Sequence, residues 1–365
     1  MSAARRLLIV AAGTGGHVMP GLAVADALRA RGWAVRWLGT AAGMERILVE
    51  GAGLDFDALA FSSIRGKGVT AFAGGLLRLA RAVVASLGVL RRFAPHAVFT
   101  TGGYVAVPAG LAAGLLRRPV LFLNADAAPQ LSLRLLLPLW HLVRVVLCGF
   151  DGSAARLAGA RARVTGAPVR APIIAVADPA ERFAGRSGPL CVLVIGGSLG
   201  ARVLNEVLPE ALALLDPAQR PQIVHQCGAG NEAATRAAYA RHGVQARTEP
   251  FLDDMAAQYA AADVVLCRAG AITVTELCVA GVAAILVPLV AATTDHQRAN
   301  AQFLAAQSAA IHLPQPDCTP AALAAVLRAL TRERLLQLAR NARALGKPDA
   351  TARVVSAIEA LVPAA

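Results

Sequence analysis

Two stretches of this chain, far apart, follow one plan: an apolar run, a glycine-rich break, then a helical pattern. Leu7-Leu8-Ile9-Val10-Ala11-Ala12 stops at Gly13-Thr14-Gly15-Gly16-His17, and a helix is expected from Pro20 to Arg31. Leu190-Cys191-Val192-Leu193-Val194-Ile195 stops at Gly196-Gly197-Ser198-Leu199-Gly200-Ala201, and helix follows again. Strands without polar alternation are covered on both faces, which confines them to parallel sheets flanked by helices. Parallel strands need crossover connections, so the plan predicts two similar α/β units in tandem. Ligands bind such sheets at the carboxyl ends of the strands, where both glycine breaks lie.

A third break carries the most chemistry. Val264-Val265-Leu266 reads as a short buried strand, Arg268-Ala269-Gly270 interrupts it, and a helix starts near Ala271 to Thr273. A helix N-terminus leaves N–H groups without intrahelical acceptors and carries the positive end of the helix dipole, which suits an anion. Glu276, about one turn in, would repel phosphate, but a carboxylate can accept hydrogen bonds from paired sugar hydroxyls. Together they suggest a nucleotide with its ribose. A plain βαβ core unit is the alternative on this stretch alone. A second apolar run, Ala283 to Leu289, leads on to the polar cluster Asp295-His296-Gln297.

Length and composition narrow the partners. A chain of 365 residues has room for two or three domains and a sizeable core. Its net charge of +13 favours an acidic partner: nucleic acid, an anionic membrane or phosphorylated substrates. Aromatic residues make up only 4% and no zinc-finger, RNP-type or lysine-rich tract is present, so nucleic acid ranks last. The six cysteines, 148, 191, 227, 267, 278 and 318, have no CxxC spacing and read as reduced core residues of a cytoplasmic protein. Met1 to Arg6 runs straight into a strand pattern, so no signal peptide is expected. Leu131 to Phe150 is broken as a membrane span by Arg134, Pro138, His141 and Arg144. Leu277 to Thr294 is divided by Gly281 and Pro288.

Further positions bear on chemistry. His17 lies among glycines at a strand-to-helix turn, where a neutral imidazole can act as general base or simply bond a neighbouring carbonyl. The first glycine break is a poor dinucleotide fingerprint, because Val18 holds the third glycine position. Asp55-Phe56-Asp57 is a DxD, the short motif that holds a cation in many sugar transferases, but it sits in an alternating strand. Arg65-Gly66-Lys67-Gly68 is a basic loop. The helix after it has Leu76, Leu77, Leu79, Ala80, Val83 and Val84 on an apolar face, with Arg78, Arg81, Arg91 and Arg92 nearby. Such a pair can rest on an anionic bilayer, or pack on a core with solvated arginines. Thr101-Gly102-Gly103-Tyr104 and Asn124-Ala125-Asp126 end two more strands. Gly166-Ala167-Pro168 and Pro172 interrupt the rhythm and mark a boundary. The last helix, Thr351 to Leu361, can pack back on the first unit.

Taken in order, these motifs carry a resemblance. Gly13 to Val18, Arg65 to Gly68, Gly102-Gly103-Tyr104, Gly196 to Ala201 and Phe251-Leu252-Asp253-Asp254-Met255 precede Arg268 to Thr273 with Glu276. Asp295-His296-Gln297 with Asn300 closes the set. The set resembles the MurG family, bacterial transferases that move N-acetylglucosamine (GlcNAc) from UDP-GlcNAc to undecaprenyl-pyrophosphoryl-MurNAc-pentapeptide, and it covers nearly the whole chain. The resemblance implies a GT-B glycosyltransferase fold: α/β, two Rossmann-like doubly wound parallel-sheet domains facing a cleft. It implies an acceptor-binding, membrane-associating domain over 1–167 with helix 348–365 packed back on it. A UDP-GlcNAc-binding domain follows over 168–347. The implied reaction is inverting, metal-independent and cofactor-free transfer to the C4 hydroxyl of MurNAc, turning lipid I into lipid II in peptidoglycan synthesis. The implied location is peripheral, on the cytoplasmic face of the bacterial inner membrane, beside cell-wall synthesis proteins.

Carried over residue by residue, His17 is the candidate base and Thr14, Gly15 and Gly16 line the glycan site. Asp126 stands in the acceptor site. Arg170 and Ser198 contact phosphate or nucleotide. The backbone of Leu252 and residues Ala271, Ile272, Thr273, Val274 and Thr275 take uracil and diphosphate. Glu276 takes the ribose and Gln297 the GlcNAc hydroxyls.

The chain departs from the family pattern in places. A usual His-Glu-Gln-Asn run is Leu123-Asn124-Ala125-Asp126 here, a usual Asn is Ala167, a usual Gln is Leu199, and a common Pro-His is Val290-Ala291. These departures keep two other readings open: a GT-B UDP-sugar transferase with a different lipid or glycoside acceptor, and a weakly catalytic UDP-GlcNAc-binding relative. A Rossmann dehydrogenase ranks below both.

Overall fold

The computed structural model describes residues 4–13, 15–41, 44–61, 69–139, 142–197, 200–290 and 295–362. The chain divides into two compact units, residues 1–170 with 348–365, and residues 171–347.

The first unit is a parallel sheet of seven strands among the described residues: β1 (Arg6–Val10), β2 (Ala34–Thr40), β3 (Asp55–Leu59), β4 (Ala97–Thr100), β5 (Val120–Asn124), β6 (Val143–Cys148) and β7 (Ala162–Val164). They lie in the order β3-β2-β1-β4-β5-β6-β7. β1, β4 and β5 are buried throughout or nearly so, as strands covered on both faces must be. Edge strand β3 is half-exposed instead, with Asp55 and Ala58 exposed and Leu59 alone of the five buried, and Asp55 and Asp57 point to Arg36 and Arg92. The helices α1 (Gly15–Arg29), α2 (Met44–Gly51) and α3 (Val69–Phe93) follow the first three strands.

Two local results differ from the sequence expectation. α1 begins at Gly15 and not at Pro20, so Pro20 is inside the helix and His17 is in its first turn. A proline there removes one intrahelical bond and crowds the Gly16 carbonyl, and burial of Val18, Pro20, Gly21 and Val24 against the sheet offsets that cost. α3 also spreads its apolar residues over two faces. Ala82, Val89 and Leu90 are buried with Leu79 and Val83 packed against them, whereas Leu76, Leu77 and Val84 are exposed. The C-terminal helix Ala350–Leu361 packs on this unit, with Val354, Val355 and Ile358 buried in the same cluster as Leu7, Ile9 and Leu28.

The second unit is a parallel sheet of six strands among the described residues: β8 (Cys191–Ile195), β9 (Gln222–Gln226), β10 (Arg247–Glu249), β11 (Val264–Cys267), β12 (Ala284–Leu286) and β13 (Ile311–His312). Their order, β10-β9-β8-β11-β12-β13, repeats the winding of the first sheet. In each sheet the strand order reverses beside its first strand, between β1 and β4 and between β8 and β11. Those are the topological switch points where doubly wound sheets bind ligands. All six cysteines are free thiols. Burial pushes Cys267 and Cys278 up to about 12, so these thiols stay protonated.

Candidate active site

In the first unit the switch point is closed by hydrogen bonds between the loops after β1 and β4. His17 Nδ1 lies 2.9 Å from the Thr101 carbonyl, and Thr101 Oγ1 donates to the His17 carbonyl at 2.8 Å. A carbonyl only accepts, so Nδ1 carries the proton and the neutral ring keeps its lone pair on Nε2. The carbonyl bond and the general-base role are therefore compatible. Gly103 must be glycine: its φ is +77°, and a Cβ there would meet the Ala12 carbonyl at 2.7 Å. Gly15 and Gly16 form the start of α1, and a Cβ on Gly15 would meet nothing within 4 Å. Thr14 lies outside the described residues.

The sequence reading passed over Glu45. It is fully buried at the start of α2, and its carboxylate gathers two loops. Oε1 accepts from the Thr40 N–H at 3.0 Å and the Thr40 hydroxyl at 2.5 Å, and Oε2 from the Gly13 N–H at 3.4 Å. The Tyr104 hydroxyl lies 3.5 Å from Thr40 Oγ1, extending the chain of contacts to the loop after β4.

The altered run after β5 builds its own turn. Asn124, fully buried, donates from Nδ2 to the carbonyls of Asp126 and Ala128, and its Oδ1 accepts from the Gln130 N–H at 2.9 Å. The Asp126 carboxylate is buried and accepts from Gln130 Nε2 at 3.4 Å. Gln130 in turn sits against Gly102, where a Cβ would meet its Oε1 at 1.8 Å. Asp126 is thus tied to the loop that carries Thr101.

In the second unit the glycine loop after β8 is equally constrained. Gly200 has φ +77°, and a Cβ there would lie 2.2 Å from the Cys227 carbonyl. Ser198 and Leu199 lie outside the described residues, as does the basic loop 65–68. Beside this loop, helix Ala271–Ala280 begins after Gly270 with no side chain capping its first turn. A Cβ on Gly270 would meet nothing within 4 Å. The first-turn N–H groups have no side-chain acceptor, an arrangement whose dipole and donors suit an anion. Asn300, fully buried, fixes the loop by donating to the Ala269 carbonyl at 3.0 Å. Arg268 points away from it, donating to the Val287 carbonyl and Gln315.

Most predicted residues of this unit gather on that helix. Ala271 and Thr273 are half-buried, but Val274 and Thr275 are buried and Thr275 Oγ1 donates to the Ala271 carbonyl. The Val274 N–H is taken by the Gly270 carbonyl at 3.0 Å, and Thr275 follows it in the helical ladder. The first-turn N–H groups left for a ligand are those of Ala271, Ile272 and Thr273, which corrects the sequence expectation at Val274 and Thr275. Glu276 is buried one turn in, and its Oε2 accepts from the Tyr259 hydroxyl at 3.0 Å. Gln297, half-buried on the neighbouring helix Asp295–Ala306, accepts from the Leu289 N–H at 3.0 Å. Leu252 is buried in the loop after β10, just before the helix that carries Tyr259. Arg170, half-buried, is the last residue of the first unit before the chain enters the second.

Comparisons with known proteins place the chain in a family. Residues 7–138 match the glycosyltransferase family 28 N-terminal domain, and residues 191–358 match its C-terminal domain. A protein of Methylibium petroleiphilum is 54% identical over 363 residues, 98% of each chain. One of Chromobacterium violaceum is 51% identical over 359 residues, again 98% of each. Both are named UDP-N-acetylglucosamine--N-acetylmuramyl-(pentapeptide) pyrophosphoryl-undecaprenol N-acetylglucosamine transferase. The crystal structure of Acinetobacter baumannii MurG superposes with a TM-score of 0.82 at 36% identity, covering 98% of this chain and 99% of that one. The chain belongs to the MurG family. It is a family 28 glycosyltransferase with the GT-B fold. The calicheamicin glycosyltransferase CalG4, at 17% identity and a TM-score of 0.68, shares the fold alone. In this MurG-family chain the residues from Asn124 to Gln130 form a self-bonded turn.

Proposed function

We propose that the chain transfers GlcNAc from UDP-GlcNAc to the C4 hydroxyl of MurNAc in undecaprenyl-pyrophosphoryl-MurNAc-pentapeptide, with inversion at the anomeric carbon. The observation that carries this reading is the full-length match, at about half identity, to transferases named for that donor and acceptor. The site supports it chemically. The uncapped helix at Gly270 stabilises charge developing on the departing UDP without a cation. Asp55 and Asp57, the DxD pair, are engaged by arginines instead.

In this reading His17 Nε2 takes the proton of the acceptor hydroxyl, and Thr14, Gly15, Gly16 and Asp126 shape the acceptor site. Ser198, Arg170, the Leu252 backbone and Ala271 to Thr273 take the nucleotide. Glu276 takes the ribose and Gln297 the GlcNAc hydroxyls. The first unit serves the acceptor and the second the donor.

No helix among the described residues is long and apolar enough to cross a membrane. Leu76, Leu77 and Val84, exposed on α3 beside Arg78 and Arg81, suit the surface of an anionic bilayer. The proposed location is therefore peripheral, on the cytoplasmic face of the inner membrane where the lipid-linked acceptor is found.

The test is the linkage of the product. With UDP-GlcNAc and a short-chain analogue of the lipid-linked acceptor, proton NMR should show one new β-configured GlcNAc on C4 of MurNAc. An α-linkage, or attachment to another hydroxyl, would overturn the reading.

A further inference from the structure

A hydrogen bond in the second unit has no role in the transfer as set out above. Tyr259 lies on helix Met255–Ala261, with its ring buried to 1% exposure, and its hydroxyl donates to Glu276 Oε2 at 3.0 Å. A tyrosine hydroxyl buried this deeply needs a partner, and here the partner is a buried carboxylate beside an anion site.

The two residues are locked together at a second place. The Arg182 guanidinium is buried and donates to the Tyr259 carbonyl at 3.3 Å. It donates also to the carbonyls of Ala280 and Gly281, which close the helix that carries Glu276. One guanidinium therefore fixes the backbone of Tyr259 relative to the end of the Glu276 helix. The register between phenol and carboxylate is set by the fold, before any ligand arrives.

We propose that Tyr259 is a positioning residue that orients the Glu276 carboxylate and makes the site select a ribose over a deoxyribose. The inference rests on the reading that Glu276 takes the ribose. A carboxylate offers about four lone-pair directions on two oxygens, and the phenol proton occupies one of them. What the phenol adds is orientation. An unheld carboxylate rotates about its last bond and gives up that freedom only on binding. One held by a buried donor has lost it during folding and meets both hydroxyls at the right angle. The second hydroxyl is the one that benefits, because a single hydroxyl can be met in many orientations and a pair in few. Selectivity, more than affinity, is the signature of this role.

The experiment compares dissociation constants of UDP and 2′-deoxy-UDP on the whole protein and on two variants. Both ligands are measured on the same sample, so a loss of folded protein does not alter the ratio. Wild type should prefer UDP. Glu276→Gln should abolish most of that preference, and an undiminished preference there would overturn the reading of Glu276 itself. Tyr259→Phe, which removes one oxygen, should lower the preference by about tenfold, the size expected for a hydrogen bond to a charged group. If Glu276→Gln loses the preference and Tyr259→Phe retains it, the role of Tyr259 is wrong while that of Glu276 stands. Should Tyr259→Phe not fold, 3-fluorotyrosine at position 259 keeps the shape and makes the hydroxyl a stronger donor. A raised preference then supports the proposal, and an unchanged one contradicts it.

Discussion

His17 and Thr101 are bonded twice across the gap between β1 and β4, ring nitrogen to carbonyl at 2.9 Å and hydroxyl to carbonyl at 2.8 Å. The first bond sets the tautomer and the second holds the turn that aims the ring. An imidazole with its lone pair on Nε2 thereby stands at the carboxyl end of β1, where the proposed base is needed.

His17→Ala should lower kcat on the order of 10²-fold or more, the usual contribution of a general base. The dissociation constant of UDP-GlcNAc, measured by calorimetry, should stay within about twofold. A nearly unchanged kcat would remove His17 from the mechanism.

Glu45 joins the end of β2 to the loop after β1. Glu45→Ala leaves the Thr40 and Gly13 N–H groups without their acceptor, at about 1–3 kcal/mol for each buried donor. Urea unfolding should show a loss of that size or more. Glu45→Gln, which keeps one acceptor oxygen, should lose less. Equal stability of Glu45→Ala and wild type would contradict the buried network.

Gly200 makes a parallel test in the second unit. With φ at +77° and the Cys227 carbonyl 2.2 Å from a Cβ, Gly200→Ala must distort the glycine loop. The strain is about 1–3 kcal/mol. UDP should bind more weakly to the variant, read by calorimetry, while transfer-independent folding of the first unit is unaffected. Unaltered UDP binding would mean that this loop does not shape the donor site.

The core of the second unit contains a histidine that should not titrate in the native state at neutral pH. His225 bonds Tyr239 through Nδ1 at 2.8 Å and Asn205 through Nε2 at 3.0 Å. Burial pulls its pKa down to about 4 from 6.5. Between those values the unfolded chain binds more protons than the native one. The stability from the neutral ring is thus full above pH 6.5 and is lost as pH falls toward 4. Unfolding by urea at pH 7.5 and 4.5 should show a loss on the order of 2–3 kcal/mol from this group. His225→Gln should lose correspondingly less over the same interval, and an equal loss in both proteins would contradict the assignment.

Much of the architecture was legible because apolar strands and glycine breaks are local patterns. β1, β8 and β11 and the breaks after them follow from uninterrupted Leu, Ile and Val ended by glycine. The Glu276 helix was placed by the same logic. Glu45 and Tyr259 were not legible. Glu45 looks like any polar residue in a first helical turn, and Tyr259 like a core aromatic, until the fold brings Gly13 and Glu276 to them. The two-faced α3 was missed because an alanine- and leucine-rich helix does not declare which apolar side meets the core. The start of α1 was missed because Pro20 reads as a boundary, and the sheet carries the helix through it.

The claim that a helix N-terminus stands in for a metal is tested most directly by one incubation. The protein is mixed with radiolabelled UDP-GlcNAc and a short-chain analogue of the lipid-linked MurNAc-pentapeptide in excess EDTA. Labelled disaccharide-lipid should form as fast as it does with added Mg²⁺. No transfer in EDTA, with UDP-GlcNAc still bound measurably, would contradict the account.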